Sequence, residues 1–289
     1  NPPANGRVNA LAVKGNTVYA GGAFSRVGGE ERKFLAALDA KSARVIDWNP
    51  AADKEVKALA VSGNTVYVGG LFNNIAGQTR NRIAALDTVK KSATEWNPDA
   101  DRPVLALAVS GNIVYAGGEF RNIGGQARDY LAALDATSGQ VKAWRPLLDG
   151  AINALSVHGD LIYVGGAFSR IGDLSRNRVA AIDPVGDPTS WSPGALSQGN
   201  SGSAVFALAA LPPNVSAQSS IIDEIQKLQP AIVGIKAVNT DIYASKPQIA
   251  GINPQPGKLV IMRKAGGAKY DRYGAGVIIH PSGIIVTNA

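Results

Sequence analysis

Apolar and polar positions alternate in short runs through most of this chain, and the runs come in sets of four. In the first set they are Val8–Val13, Thr17–Ala20, Phe34–Leu38 and Val45–Trp48. Runs of this length, bounded by Gly, Asn and Ser, predict β-strands. No window in residues 1–193 carries a sustained helical period. Between the first two runs sits Lys14-Gly15-Asn16, a tight-turn signal. Ser-Gly-Asn at Ser62 and Ser110, and His-Gly-Asp at His158, repeat it. A longer loop rich in Gly, Arg and Asn separates the second run from the third. A short polar turn, such as Ala40-Lys41-Ser42-Ala43, separates the third from the fourth.

The whole set recurs. Val8, Val56, Val104 and Ile152 stand 48 residues apart, and so do Tyr19, Tyr67, Tyr115 and Tyr163. The Gly-Gly pairs at Gly21, Gly69, Gly117 and Gly165 keep the same step, as do Phe24, Phe72, Phe120 and Phe168. Asp39, Asp87, Asp135 and Asp183 follow it, with Trp48, Trp96 and Trp144, while Trp191 comes one residue early. A fixed period of this length marks a repeat architecture. Four short antiparallel strands per repeat are the content of one propeller blade. The expected fold is therefore all-β: a β-propeller of four-stranded, 48-residue blades, with four full blades between Val8 and Trp191. A solenoid of helix pairs is excluded, and a β-sandwich demands no such even period.

The ring looks cut on both sides. Asn1-Pro2 repeats the Asn-Pro that follows Trp48 and Trp96, so a further blade is expected ahead of residue 1. Val205–Ala209 echoes Val8–Ala12 as the start of a fifth, until Leu211-Pro212-Pro213-Asn214 breaks the pattern. Residues 1–213 are thus expected to be propeller and residues 214–289 a second unit. In that unit a short helix is expected over Ser219–Leu228, capped by Ser220 and ended by Pro230. Strands are expected at Ala231–Val238, Lys258–Arg263, Gly276–Ile279 and Ile284–Thr287, the last two flanking a turn at His280–Gly283.

Each repeated slot has a physical reading. Glycine pairs after a strand Tyr suit a close backbone approach or a bulge. The Tyr, Phe and Trp of each repeat suit packing between blades; an aromatic ligand platform is the functional alternative. The Asp after Ala-Ala-Leu suits bonding to its own turn. One carboxylate per repeat makes a poor metal cage, so no metal and no cofactor are expected.

Composition narrows the field. The 289 residues include no Cys, which removes disulfides and thiolate chemistry, and no run is long enough for a transmembrane helix. The net charge of +7 is spread thinly, with no Lys/Arg cluster longer than two. That argues against nucleic acid as a partner. A chain that starts with Asn is expected to be processed or truncated.

Candidate binding chemistry gathers on the long loops, which all follow the second strand and so emerge on one rim. They carry Arg26, Arg80, Arg82, Arg121, Arg128, Arg170, Arg176 and Arg178, with Asn74 and Asn122. Planar donors of this kind suit a protein partner or an acidic glycan. Plain soluble connections are the alternative reading. Unpaired sheet edges in an incomplete barrel would also allow a homo-oligomer or filament.

Catalytic chemistry has less to stand on. The two histidines, His158 and His280, both fall in turns. Gly199-Asn200-Ser201-Gly202-Ser203 has the look of a protease nucleophile turn, which makes Ser201 the weak catalytic candidate; an inserted Gly/Ser loop is the simpler reading.

Two resemblances follow from these residues. Ala58–Gly70 (ALAVSGNTVYVGG), Ile83–Asp87 (IAALD) and Trp96-Asn97-Pro98 resemble the repeats of bacterial extracellular propellers, and distantly the propeller of the fungal cortical marker family. That resemblance covers residues 1–193 and implies an exported binding or scaffolding ring. Pro230–Val238 and Gly274–Ala289 resemble the opening of HtrA-type, trypsin-like serine proteases. That second resemblance implies the first strands of a protease barrel. It places the catalytic His immediately beyond Ala289 and none of the triad within the chain.

Overall fold

The computed structural model describes residues 3–191 and the strands Ala207–Ala210, Gly276–Ile279 and Ile284–Asn288. The chain divides into two compact units, Asn1–Leu208 and Ala209–Ala289.

In the first unit the meter of the sequence becomes four successive blades. The inner strands are Val8–Lys14, Val56–Ser62, Val104–Ser110 and Ile152–His158. Each turns through its Gly-Asn or Gly-Asp into a second strand: Thr17–Gly22, Thr65–Gly70, Ile113–Gly118 or Leu161–Gly166. The third strands are Leu35–Asp39, Ile83–Asp87, Leu131–Asp135 and Val179–Ile182, all antiparallel to the second. Inner strands of neighbouring blades run side by side, so the sheets fan about a common axis. This is a β-propeller arrangement, as the period implies.

The fourth strand is far shorter than the Val45–Trp48 run suggests. Only the second blade has one, Ser92–Ala93; the others keep a single bridge, Leu38 to Val45, Leu134 to Val141 and Ile182 to Pro188. Beyond it the chain leaves the sheet and places Trp48 and Trp96 between blades, where each is nearly fully buried.

Every blade has two unlike faces. Val56, Leu59, Val66, Val68 and Leu86 of the second blade pack toward the first, against Tyr19, Leu35, Ala37 and Trp48. Ala58, Tyr67, Ile83, Ala85 and Trp96 pack toward the third, against Val104, Leu107, Val114 and Phe120. Tyr115, Leu131 and Ala133 meet Ile152, Val164 and Phe168 in the same way. In a regular strand, residues three apart lie on opposite faces. Val56 and Leu59 share a face because a register shift between Val56 and Ala58 inserts an extra residue. The same bulge recurs in the other three inner strands.

The Gly-Gly pair serves both purposes proposed for it. A Cβ on Gly69 would lie 2.8 Å from Val104 Cγ1 of the next blade, so the first glycine admits the neighbouring sheet. A Cβ on Gly70 would strike the Glu55 carbonyl, which instead accepts the Leu71 N–H at 2.9 Å, so the second glycine accommodates the bulge. The aromatics tie blades as expected. Tyr19–Trp48, Tyr67–Trp96 and Tyr115–Trp144 meet edge to face at 5.0, 5.1 and 5.3 Å. The indoles of Trp96 and Trp144 then donate to the Asp135 and Asp183 carbonyls of the following blade, at 2.9 and 3.1 Å.

The repeated Asp also does what its position implies. Asp39 Oδ1 accepts the N–H groups of Lys41 and Ser42, and Asp87, Asp135 and Asp183 do the same in their turns. Bonds from the Ser42 backbone and hydroxyl hold the Asp39 carboxyl below its ordinary pKa.

In the second unit, Gly276–Ile279 pairs antiparallel with Ile284–Asn288, Gly276 opposite Asn288 and Ile279 opposite Ile285, as the flanked turn suggests. The expected helix over Ser219–Leu228 and the runs Ala231–Val238 and Lys258–Arg263 lie outside the described residues, as do Ser201 and its loop. Ala207–Ala210, within the suspected fifth repeat, is a strand.

At the inner edge, Glu55 joins the first two blades. Its Oε1 receives Arg7 Nη2 and Asn9 Nδ2 from the first blade, both at 2.9 Å, and Lys57 Nζ from its own strand at 2.8 Å. Burial acts against its charge, yet the bonds from Lys57, Arg7 and Asn9 outweigh it and hold the carboxyl at about 2, against an ordinary 4.5. A depressed carboxyl contributes stability above its unfolded pKa and loses it as pH falls through the folded one. Glu55→Gln should therefore lower the melting temperature most above pH 5, and the difference from wild type should shrink towards zero as pH approaches 2. Melting curves across that range check this. Gly69→Val should destabilise by roughly 1–3 kcal/mol through overpacking against Val104, read by denaturant unfolding.

Candidate functional site: the loop rim

The long loops are ordered structures. Each folds back as a two-residue hairpin: Arg26–Val27 with Glu30–Glu31, Asn74–Ile75 with Gln78–Thr79, Asn122–Ile123 with Gln126–Ala127, and Arg170–Ile171 with Leu174–Ser175. The buried hairpin residue bridges to the chain entering the same blade, Ala4 to Val27, Ala52 to Ile75, Ala100 to Ile123 and Leu148 to Ile171.

Two side-chain devices brace these hairpins. The first is a carboxylate just ahead of each inner strand. Asp53 Oδ1 accepts the Asn73 N–H at 2.9 Å, and its Oδ2 accepts Asn74 Nδ2 at 3.0 Å. Asp101 holds Arg121 and Asn122, and Asp149 holds Ser169 and Arg170; in the first blade Asn5 takes this place on Ser25 and Arg26. Burial opposes the charge of Asp53, Asp101 and Asp149, but the donated bonds prevail and lower all three pKa values. This set was missed in the sequence, although residues 5, 53, 101 and 149 keep the 48-residue step.

The second device corrects an expectation. Arg80, Arg128 and Arg176 are not donors held out to a partner. Arg80 and Arg128 are only 8% exposed. Arg80 donates to the Thr79 and Thr94 carbonyls at 2.8 and 2.7 Å and to Gln78 Oε1 at 2.7 Å. Arg128 repeats this on Ala127, Lys142 and Gln126, and Arg176 on the Ser175 and Thr189 carbonyls. The cause is the stunted outer strand. Thr94, Lys142 and Thr189 donate the last ladder bonds, to the Ala85, Ala133 and Ala181 carbonyls, and their own carbonyls have no further strand to pair with. The guanidinium fork supplies the donors and pins the loop to the outer edge.

The remaining rim residues divide. Arg82 is half-buried, its Nη1 on the Leu71 and Phe72 carbonyls at 2.5 and 3.2 Å, and Arg178 is half-buried in the matching position. Both, with Phe34 and Tyr130, take positive φ of 65° to 68° where the loop re-enters the sheet. Arg26, Arg121 and Arg170 are exposed. Arg26 and Arg170 each place one Nη2 on a loop carbonyl, Gly29 and Asp173. Arg121 pairs with Asp129 at 3.1 Å and lies 4.6 Å over the Tyr130 ring. Asn74 and Asn122 are exposed, with amides bonded to Asp53 and Asp101.

One cleft opens where the rim loops of the second and third blades meet. It has a volume of about 360 Å³ and is lined by Asn73, Asn81, Arg82, Asp99, Ala100, Asp101, Asn122 and Gly125. Among the described residues no group of three or more His, Cys, Asp and Glu is placed to hold a metal ion.

The family described as outer membrane protein assembly factor BamB matches residues 2–142, just under half of the chain. The chain is a β-propeller repeat protein. No curated protein matches it. Among solved structures it is similar to the computationally designed Ika8 protein, at 18% identity over 73% of this chain and 68% of that one, with a TM-score of 0.43. It is similar to the designed Ika4 protein at 19% identity, over 62% of this chain and 92% of that one, with a TM-score of 0.42. The Neurospora crassa Pan2 WD40 domain is 14% identical over 70% of this chain and 54% of that one, with a TM-score of 0.44.

Losing the Arg80 fork would leave the Thr94 carbonyl unpaired at a cost of about 1–3 kcal/mol. Arg80→Met, which keeps the apolar stem, should show that loss in denaturant unfolding. It should also make the Asn73–Arg82 loop the first site of limited proteolysis.

Proposed function

We propose that this protein is a binding and scaffolding module that holds a protein or acidic-glycan partner on its loop rim. The observation that carries the proposal is the dense bonding of that rim's loops to the blades. Asp53, Asp101, Asp149 and the Arg80 and Arg128 forks fix the loop backbones, while Arg26, Arg121 and Arg170 stay exposed with donors to spare. Preorganised loops lose little conformational entropy on binding, and functional residues concentrate on loops held by rigid scaffolds. The match to an outer-membrane assembly factor and the resemblance to extracellular propellers support an exported, bacterial setting. No helix among the described residues is long and apolar enough to cross a membrane.

A second reading, a fragment of a propeller-containing HtrA-like endopeptidase, draws on the Gly276–Asn288 hairpin. In that reading residues from about 214 onward open a protease barrel. Sequencing the gene past Ala289 tests it: a His directly following, with Asp and Ser further on, is its requirement.

The rim reading is tested with the Arg26→Ala/Arg121→Ala/Arg170→Ala variant. Three exposed ion pairs at roughly 0.5 kcal/mol each amount to about tenfold in affinity. Retention of the full chain on immobilised polygalacturonate and heparin should be salt-dependent and should fall by about that factor in the variant, with the melting temperature unchanged. Equal retention of both proteins rejects the rim arginines as the contact.

A further inference from the structure

The four blades provide their own control. Whatever is needed to build a blade recurs every 48 residues, so a polar residue that breaks the repeat and has no structural bond is a residue the fold does not require. The cleft between the second and third rim loops collects such residues. Its Asn73 stands where the first and fourth blades have Ser25 and Ser169; its Asn81 stands where the first and third have Lys33 and Asp129, and is repeated as Asn177 in the fourth. Asp99 stands where Ala51 and Leu147 line the other two junctions. No intramolecular hydrogen bond among the described residues engages the Asn73 or Asn81 side-chain amide or the Asp99 carboxylate, although all three line one cleft.

Much of the rest of the lining is committed, though the Arg82 Nε is buried without a partner. Asp101 accepts the Arg121 and Asn122 N–H groups at 2.9 and 3.1 Å and Asn122 Nδ2 at 3.1 Å, and Arg82 Nη1 serves the Leu71 and Phe72 carbonyls. The free groups are therefore two amides, each with paired donors and an acceptor, and one acceptor-only carboxylate. That set matches neighbouring hydroxyl groups, which donate and accept together. Two carboxylates, Asp99 and Asp101, disfavour a phosphate or carboxylate ligand. The polar lining disfavours an apolar one. The volume of about 360 Å³ sits at the small end of ligand sites.

We infer that the Asn73–Asn81–Asp99 cleft is a subsite for a neutral, hydroxyl-rich ligand, a sugar residue of a glycan. This deepens the rim reading and rests on it: the arginines meet the bulk of a partner, and the cleft takes one of its sugar units.

The test uses variants that the other blades certify as tolerable. Asn73→Ser and Asp99→Ala install the residues of the first blade at the same register, Ser25 and Ala51. Saturation-transfer NMR of the full chain with maltotriose, cellotriose, mannotriose and galactobiose is expected to detect at least one. The Asn73→Ser/Asp99→Ala variant should bind it at least tenfold more weakly with an unchanged melting temperature, and Arg26→Ala/Arg121→Ala/Arg170→Ala should bind it as wild type does. No signal from any of the four overturns the sugar subsite. A signal undiminished in the cleft variant overturns the location. Neither result touches the rim reading, which stands or falls on retention by the acidic polymers.

Discussion

The second blade can lie against the first because Gly21 has no side chain. A Cβ there would overlap Val56, the residue that opens the next inner strand, and the same holds for Gly69 under Val104 and Gly117 under Ile152. Everything outward of this contact follows from it. With the inner strands close, the edge-to-face Tyr and Trp pair of each blade packs against the next sheet, and alanines face the bulky neighbour where space is least. The bulge at the start of each inner strand turns both Val56 and Leu59 toward that contact. Shape, more than any single bond, specifies the stacking.

The same economy governs the rim. A blade whose fourth strand is only a bridge leaves carbonyls without partners, and the loop arginines fill that deficit. A loop tied down for structural reasons becomes a fixed platform. The rim is therefore built by the polar needs of a stunted sheet edge.

Much of this was legible in the sequence. The even spacing of Val, Tyr, Gly-Gly, Asp and Trp dictates blades, because each slot answers a constraint met afresh in every repeat. What was hidden was direction. Arg80 and Arg26 are loop arginines alike in sequence, yet one is turned inward to Thr94 and the other is exposed, since only the folded edge creates the carbonyl that attracts the first. Asp53, Asp101 and Asp149 kept the period but sat in what reads as a linker, and their partners lie 20 residues away. Asp99 and Asn81 stand apart in the chain and share a cleft only when two loops are brought together.

The junction between the first two blades differs from the next two. Trp96 and Trp144 each reach the carbonyl of the following turn, but the Trp48 indole N–H is buried without a partner. The turn it faces carries Lys91 at a left-handed φ of 56°, where the third blade has Gly139 close against Trp96. Repeat arrays behave as chains of nearest-neighbour couplings. The couplings in this array are therefore unequal in kind: the junction without an indole bond is the one clasped by charge through Arg7, Asn9 and Glu55.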